Sequence, residues 1–246
     1  MANNIIFSDW DGTLTLDEKM QPLFFEIANL IKKNQDELVI VSGRSVSWGH
    51  FMMSHLPVSA AIMESGGVIL TPDETHDIKE EYLVHLEDLV RLRAITEKLK
   101  DTFPDCPLSF DSFGRCADRA VDLLILREQC PHLEKEIYKF FKEEGVSYAA
   151  SNIHINFWFG NISKSLGMDY FFKHYRPQVK KENCVFFGDA LNDEPVFEVY
   201  PHTVAVSNID KYWDQLKFKP TVKLQGEEGR GPRGVLSYLQ NHFYKK

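Results

Sequence analysis

Two carboxylates, Asp9 and Asp11, follow the apolar run Ile5-Ile6-Phe7, with only Ser8 between the run and the first of them. Such a run reads as a short buried strand. Two ionised side chains one residue apart at its end are costly unless an opposite charge compensates them. A divalent metal is the strongest such partner. Asp11-Gly12 is also a favoured two-residue hairpin turn, and within this fragment both readings stand.

The chain has 246 residues, enough for one large domain or for a domain that carries an inserted one. With 43% hydrophobic residues it can bury a sizeable core. Its net charge of -8 argues against a general nucleic-acid or anionic-membrane role. A phosphorylated small molecule is compatible with that charge if a metal and a few local cations reverse the sign inside the site. Cys106, Cys116, Cys130 and Cys184 lie far apart without metal-site spacing, which reads as free thiols in a reducing compartment. A strand begins almost at the first residue, and no apolar run reaches bilayer length, so neither a signal peptide nor a membrane span is expected. The expected location is cytoplasmic, with no obligate protein partner evident.

Short apolar strands alternate with helical patterns at both ends of the chain. Ile5–Phe7 precedes a helical stretch over 22–33, with Phe24, Ile27, Leu30 and Ile31 at helical spacing. Leu38–Val41 runs into Ser42-Gly43-Arg44, with a helix expected from Ser45. Later come strands over 184–187 and 204–206 and a closing helix over 234–243. This alternation predicts an α/β fold, a doubly wound parallel sheet with helices on both faces. The middle differs: helical patterns over 86–100 and 132–144 are each followed by strand-like segments, 120–126 and 147–159. That order suits an α+β insertion. The expected division is a core of residues 1–82 and 161–246 and an inserted domain of residues 83–160. The glycine-rich stretch 226–234 reads as a flexible loop.

In a doubly wound sheet, ligands bind beyond the carboxyl ends of the strands. Asp9 and Asp11, then Ser42, then Asp189 with Asn192 and Asp193, all fall where an apolar run stops. Gathered at one edge they form an oxygen-rich site suited to Mg²⁺, where a hydroxyl, backbone amides and a lysine hold a phosphate.

These residues resemble the motifs of the haloacid dehalogenase superfamily of phosphatases across essentially the whole chain. The first motif, D-x-D-G-T, stands as Asp9-Trp10-Asp11-Gly12-Thr13; the second is Ser42. The third matches Lys164, followed by Ser165 where the family often has glycine. The fourth, G-D-x-x-N-D, is Gly188-Asp189-Ala190-Leu191-Asn192-Asp193. An insertion between the second and third motifs is similar to subclass IIB, which includes sucrose-phosphate, trehalose-phosphate and mannosylphosphoglycerate phosphatases. Glu64-Ser65-Gly66-Gly67 resembles that subclass's E-N-G-G turn.

The resemblance implies a Rossmann-like core with an α+β cap and a Mg²⁺-dependent phosphomonoesterase. Asp9 is then the nucleophile that forms an aspartyl-phosphate, and Asp11 the general acid and base. Asp9, Asp11, Asp189 and Asp193 serve the metal, and Ser42, Gly43, Lys164 and Asn192 the phosphate. A phosphotransferase or phosphomutase carries the same motifs, and a catalytically silent binding module keeps the same fold. For the substrate, strand alternation puts Asn152, His154, Asn156 and Trp158 on one face, opposite Ile153, Ile155 and Phe157. A polar face with an indole suits a sugar phosphate. Arg44, Asp122, His154, Asn156 and Trp158 are the substrate candidates, with Arg115 and Arg119 weaker ones. Trp10, in the variable position of the first motif, carries no functional reading beyond packing.

Overall fold

The computed structural model describes residues 4–16 and 19–245, the side chain of Phe113 excepted. Strand β1 (Ile5–Ser8) is wholly buried between two parallel neighbours. After a small hairpin, β2 (Thr15–Leu16) and β3 (Lys19–Met20), helix α1 (Leu23–Lys33) buries Phe24, Ile27, Ala28 and Ile31. Those four fall on one stripe at helical spacing. Strand β4 (Glu37–Val41), helix α2 (Val46–His55) and strand β5 (Ala60–Met63) extend the parallel alternation. Strands β6 (Val68–Pro72) and β7 (Ile78–Tyr82) then run antiparallel at the edge.

The chain next forms a separate small sheet. Helix α3 (Leu86–Thr102) leads to β8 (Arg119–Asp122), α4 (Leu123–Gln129), α5 (Leu133–Glu143), β9 (Ser147–Ala150) and β10 (His154–Trp158). The three strands pair antiparallel in the order β8-β10-β9. Ile155 and Phe157 of β10 join Leu92, Ile95, Ile137 and Phe141 in a core of their own, with Phe141 stacked on Phe157 at 4.7 Å.

Helix α6 (Lys164–Tyr175), strand β11 (Cys184–Gly188), helix α7 (Glu194–Val199), strands β12 (Thr203–Ala205) and β13 (Val222–Lys223) and helix α8 (Gly231–Tyr238) complete the large sheet. Its order is β13-β12-β11-β1-β4-β5-β6-β7. The chain steps to one side of β1 first and to the other side only after the small sheet. The carboxyl ends of β1 and β11 therefore flank the switch point, where an open sheet presents its crevice. Alternate residues of β1 feed opposite faces: Ile6 packs with Phe24, Ile27 and Val235, whereas Ile5 and Phe7 pack with Phe171 and Phe186. Helices thus cover both faces, as the sequence alternation requires. Trp10 is buried against Phe24, with ring centroids 5.4 Å apart.

The structure corrects three local expectations and adds two strands. The segment 120–126 is not one strand: it ends at Asp122, whose Oδ1 accepts from the Ile125 amide and starts α4. The segment 147–159 is two strands around a turn at 151–153. The stretch 226–234 is not wholly loop, because α8 begins at Gly231 with Pro232 in its first turn, where a missing N–H costs nothing. The antiparallel strands β6 and β7 escaped prediction. A tight turn joins β5 to β6, with Glu64, Ser65 and Gly66 all at positive φ. Gly66 has no alternative there, since a Cβ would lie 2.0 Å from the Ser163 carbonyl. Among the described residues, no helix is long and apolar enough to cross a membrane.

Candidate active site

Parallel pairing sets Ser8 of β1 beside Phe187 of β11. The Asp9 amide carries the pairing one residue further by donating to the Phe187 carbonyl at 2.8 Å. Asp9 and Asp189 therefore leave adjacent strand ends side by side. Gly12, at φ 85°, lets the chain turn past them; a Cβ there would sit 2.2 Å from Asp189 Oδ2. The loop after β11 is tied by Asp193, whose Oδ2 accepts from the Asp189 and Ala190 amides at 2.8 and 3.0 Å. Helix α6 opens at Ser163, whose Oγ caps the Leu166 amide. Its first residue, Lys164, places its Nζ 2.6 Å from both Asp9 Oδ1 and Asp193 Oδ1. All three side chains are buried.

Oxygens of Asp9, Asp189 and Asp193 lie within 4.8 Å of one another. Three carboxylates against one ammonium leave two negative charges uncompensated if all are ionised. Burial pushes Asp9 up to about 7, against the pull of Lys164. Burial, then Asp9 and Asp193, raise Asp189 well above the usual carboxylate range. Burial opposes the charge on Lys164, but Asp193 and Asp9 hold it above the ordinary lysine value. Asp189 Oδ1 is buried with no hydrogen-bond partner. An all-oxygen donor set, an orphaned carboxylate oxygen and a deficit of two charges fit a hard divalent cation such as Mg²⁺.

A second group of residues frames a neighbouring space. Asp9, Asp11, Ser42, Gly43, His154, Asp189 and Asn192 all line a cavity of about 10 Å³, room for little more than a water. Ser42 Oγ accepts from the Arg44 amide at 3.1 Å. Asn192 Oδ1 is buried without a partner. Asp11 is held by two hydrogen bonds from Arg44, at 2.8 and 2.9 Å, and that guanidinium lies over the Trp48 ring.

The small sheet lies across this space and is gripped from below. Glu64, wholly buried, accepts from the amides of Val46, Cys116, Ala117 and Asp118. Arg115 donates to Asp111, to Asp118 at 2.6 Å and to the Gly43 carbonyl at 3.0 Å. Asn156 donates to the same carbonyl at 2.8 Å and to Asp118 at 2.7 Å. Asn152 donates to Asp189 Oδ2 at 2.7 Å and accepts from the Tyr212 hydroxyl at 3.2 Å. Glu64→Gln would turn an acceptor into a donor facing these amides. It is expected to cost about 3 kcal/mol of stability, read as a lower urea midpoint.

Of the substrate candidates, Arg44, His154 and Asn156 sit at or beside the small cavity, but each is already engaged. His154 bonds Ser109 Oγ at 3.1 Å; burial, aided by Arg115, pushes it down to about 3 and keeps it neutral. Asp122 does not join them, because its carboxylate caps α4. Trp158 lines a larger cleft of about 750 Å³ with Tyr138, Tyr148, Tyr212, Lys164 and Asn192. Sequence reasoning missed Arg115 as the carrier of the Gly43 contact, Asp118, and Tyr212 behind Asn152. No spacing signals them, since the contacts join elements far apart in the chain.

The model of the haloacid dehalogenase-like hydrolase family matches residues 6–110 and 117–215. The chain belongs to that family. This haloacid dehalogenase-like hydrolase matches no protein in a search of curated sequences. Among solved structures it is similar to sucrose-phosphatase from Synechocystis in complex with sucrose and phosphate, at 17% identity and a TM-score of 0.70, over 98% of each chain. It also resembles the C-terminal domain of trehalose-6-phosphate phosphatase from C. albicans, at 17% identity and a TM-score of 0.66, over 97% of this chain and 91% of that one. A haloacid dehalogenase subclass IIB sugar phosphatase matches at 14% identity and a TM-score of 0.66, over 98% of each chain.

Proposed function

We propose that this hydrolase is a Mg²⁺-dependent phosphomonoesterase for a small phosphorylated metabolite, a sugar phosphate, working through an aspartyl-phosphate. The observation that carries the reading is Lys164 bridging Asp9 and Asp193 beside the orphaned oxygen of Asp189. Asp9, the Asp11 carbonyl and Asp189 would hold Mg²⁺, with Asp193 behind them. When bound, the ion offsets the repulsion between a carboxylate nucleophile and an anionic phosphate.

An Asp9 oxygen attacks phosphorus in line, and the bond from phosphorus to the leaving oxygen breaks. Asp11, oriented by Arg44, gives that oxygen its proton and then takes one from the water that attacks the aspartyl-phosphate. The phosphorus–Asp9 bond breaks, and phosphate leaves. Ser42 Oγ, the Gly43 amide, Asn192 and Lys164 hold the non-bridging oxygens, on which charge spreads in the transition state.

Residues 1–82 and 161–246 form the catalytic core in this reading, and residues 83–160 the cap that excludes water. The aromatic cleft at Trp158 supports a sugar, whose ring has an apolar side. Four free thiols suit the cytosol. A panel of sugar phosphates, nucleotides and phosphoglycerates, assayed with and without Mg²⁺, is expected to give metal-dependent phosphate release on a subset of sugar phosphates. Phosphate transferred to another sugar position instead would make the protein a phosphomutase.

A further inference from the structure

Asn152 ties the small sheet to a carboxylate proposed to hold the cation. It stands at the turn between β9 and β10, and its Nδ2 donates to Asp189 Oδ2 at 2.7 Å. The same nitrogen reaches the Asp11 carbonyl, a second proposed ligand, at 3.5 Å. The grips that Glu64, Arg115 and Asn156 provide leave Asp189 untouched, since they end on the amides of residues 116–118 and on the Gly43 carbonyl. Among the described residues, no other side chain of the segment 83–160 hydrogen-bonds Asp189.

The turn that carries Asn152 is closed on itself and tied to its neighbour. Ser151 Oγ accepts from the His154 amide at 3.1 Å, and the Ser151 amide donates to the His154 carbonyl at 2.8 Å. The Ile153 carbonyl accepts from the Leu123 amide at 2.8 Å. The orientation of the Asn152 amide is set as well. An ionised carboxylate only accepts, so Asp189 selects the NH₂ group, and the Tyr212 hydroxyl donates to the remaining oxygen at 3.2 Å. Tyr212 lies in the 3₁₀ segment Ser207–Gln215, outside the small sheet. Asn152 is therefore held from both sides.

The two oxygens of Asp189 are used differently. Oδ2 is taken by Asn152, whereas Oδ1 is buried without a hydrogen-bond partner. A carboxylate pinned through one oxygen keeps the other aimed, which is how hydrogen bonds behind a metal ligand raise affinity. We infer that Asn152 is a positioning residue through which the seated small sheet strengthens the metal site, so that seating the sheet and binding Mg²⁺ favour each other. The inference rests on the Mg²⁺ reading above and adds a residue of the proposed cap to it. Linkage is reciprocal: whatever affinity the seated sheet gives the cation, the bound cation returns as stability of the seated sheet. Withdrawing Asn152 leaves Asp189 without the bond that orients it.

The test titrates Mg²⁺ into wild-type, Asn152→Ala and Tyr212→Phe proteins in a calorimeter, with metal-free melting curves to establish that each is folded. Asn152→Ala is expected to bind Mg²⁺ about tenfold more weakly than wild type. Tyr212→Phe, which releases one end of the amide, is expected to lose affinity by a smaller factor. Hydrogen exchange over residues 147–158 separates positioning from a merely structural contact: Mg²⁺ should protect this segment in wild type and not in Asn152→Ala. Unchanged or tighter Mg²⁺ binding by Asn152→Ala would overturn the inference, tighter binding meaning that the amide competes with the cation. Protection of residues 147–158 that ignores Mg²⁺ in wild type would overturn it too. Should Asn152→Ala not fold, Tyr212→Phe decides by the same criterion. A wild-type protein that binds no Mg²⁺ at all would instead defeat the metal reading itself.

Discussion

Asp9→Asn protein is expected to release phosphate at least about 10³-fold more slowly than wild type and to keep its fold. The amide oxygen retains the Lys164 hydrogen bond made by Oδ1. The amide nitrogen replaces a carboxylate oxygen close to Asp189, whose own Oδ1 lacks a partner. The substitution removes a nucleophile and a charge repulsion together. Thermal unfolding without metal should therefore show a midpoint equal to or above that of wild type, while a phosphate assay shows the loss. An active Asp9→Asn protein would place the nucleophile elsewhere.

Lys164→Met should damage the protein in a different way. It removes the ammonium bonded to both Asp9 and Asp193 and leaves those two buried carboxylates with no ion pair among the described residues. Breaking a buried pair from one side costs about 3–5 kcal/mol, and loss of a phosphate ligand lowers kcat as well. The stability deficit has a pH signature. Asp9 and Asp189 titrate higher in the fold than in the unfolded chain. A carboxyl of that kind binds more protons folded than unfolded, so its contribution falls as pH rises from about 4 to about 7. Without Lys164 the folded values rise further. Urea unfolding should show the variant's deficit deepening between about pH 5.5 and pH 8 in the absence of metal. A deficit independent of pH would mean that Lys164 matters through packing rather than charge.

The legible part of the site was the part carried by short-range pattern. Asp9, Ser42 and Asp189 each fall at or within one residue of the end of a short apolar run, and parallel register brings such strand ends together. Lys164 was readable only through its match to the family's third motif, since a lone lysine carries no pattern of its own. The illegible part lies between elements distant in sequence. Asn156 and His154 stood on the face that alternation assigned, yet the partners that engage them, the Gly43 carbonyl and Ser109, lie 113 and 45 residues away. Asp122 carried a polar signal that belonged to a helix cap, a local role that competes with any site role. The turn at Glu64 was noticed by resemblance, but its carboxylate's grip on residues 116–118 depends on how the small sheet docks. Trp10 carried no reading beyond packing, and its ring lies edge-on to Phe24.

An acid-quenched reaction with a turned-over phosphomonoester, digested and mapped by mass spectrometry, reads the proposed chemistry at the atom where it occurs. The expected result is a phosphoryl group on the peptide containing Asp9, present in wild-type protein with Mg²⁺ and absent from Asp9→Asn protein. A phosphoryl group on another residue, or steady turnover with no Asp9 adduct at any quench time, would contradict the aspartyl-phosphate account.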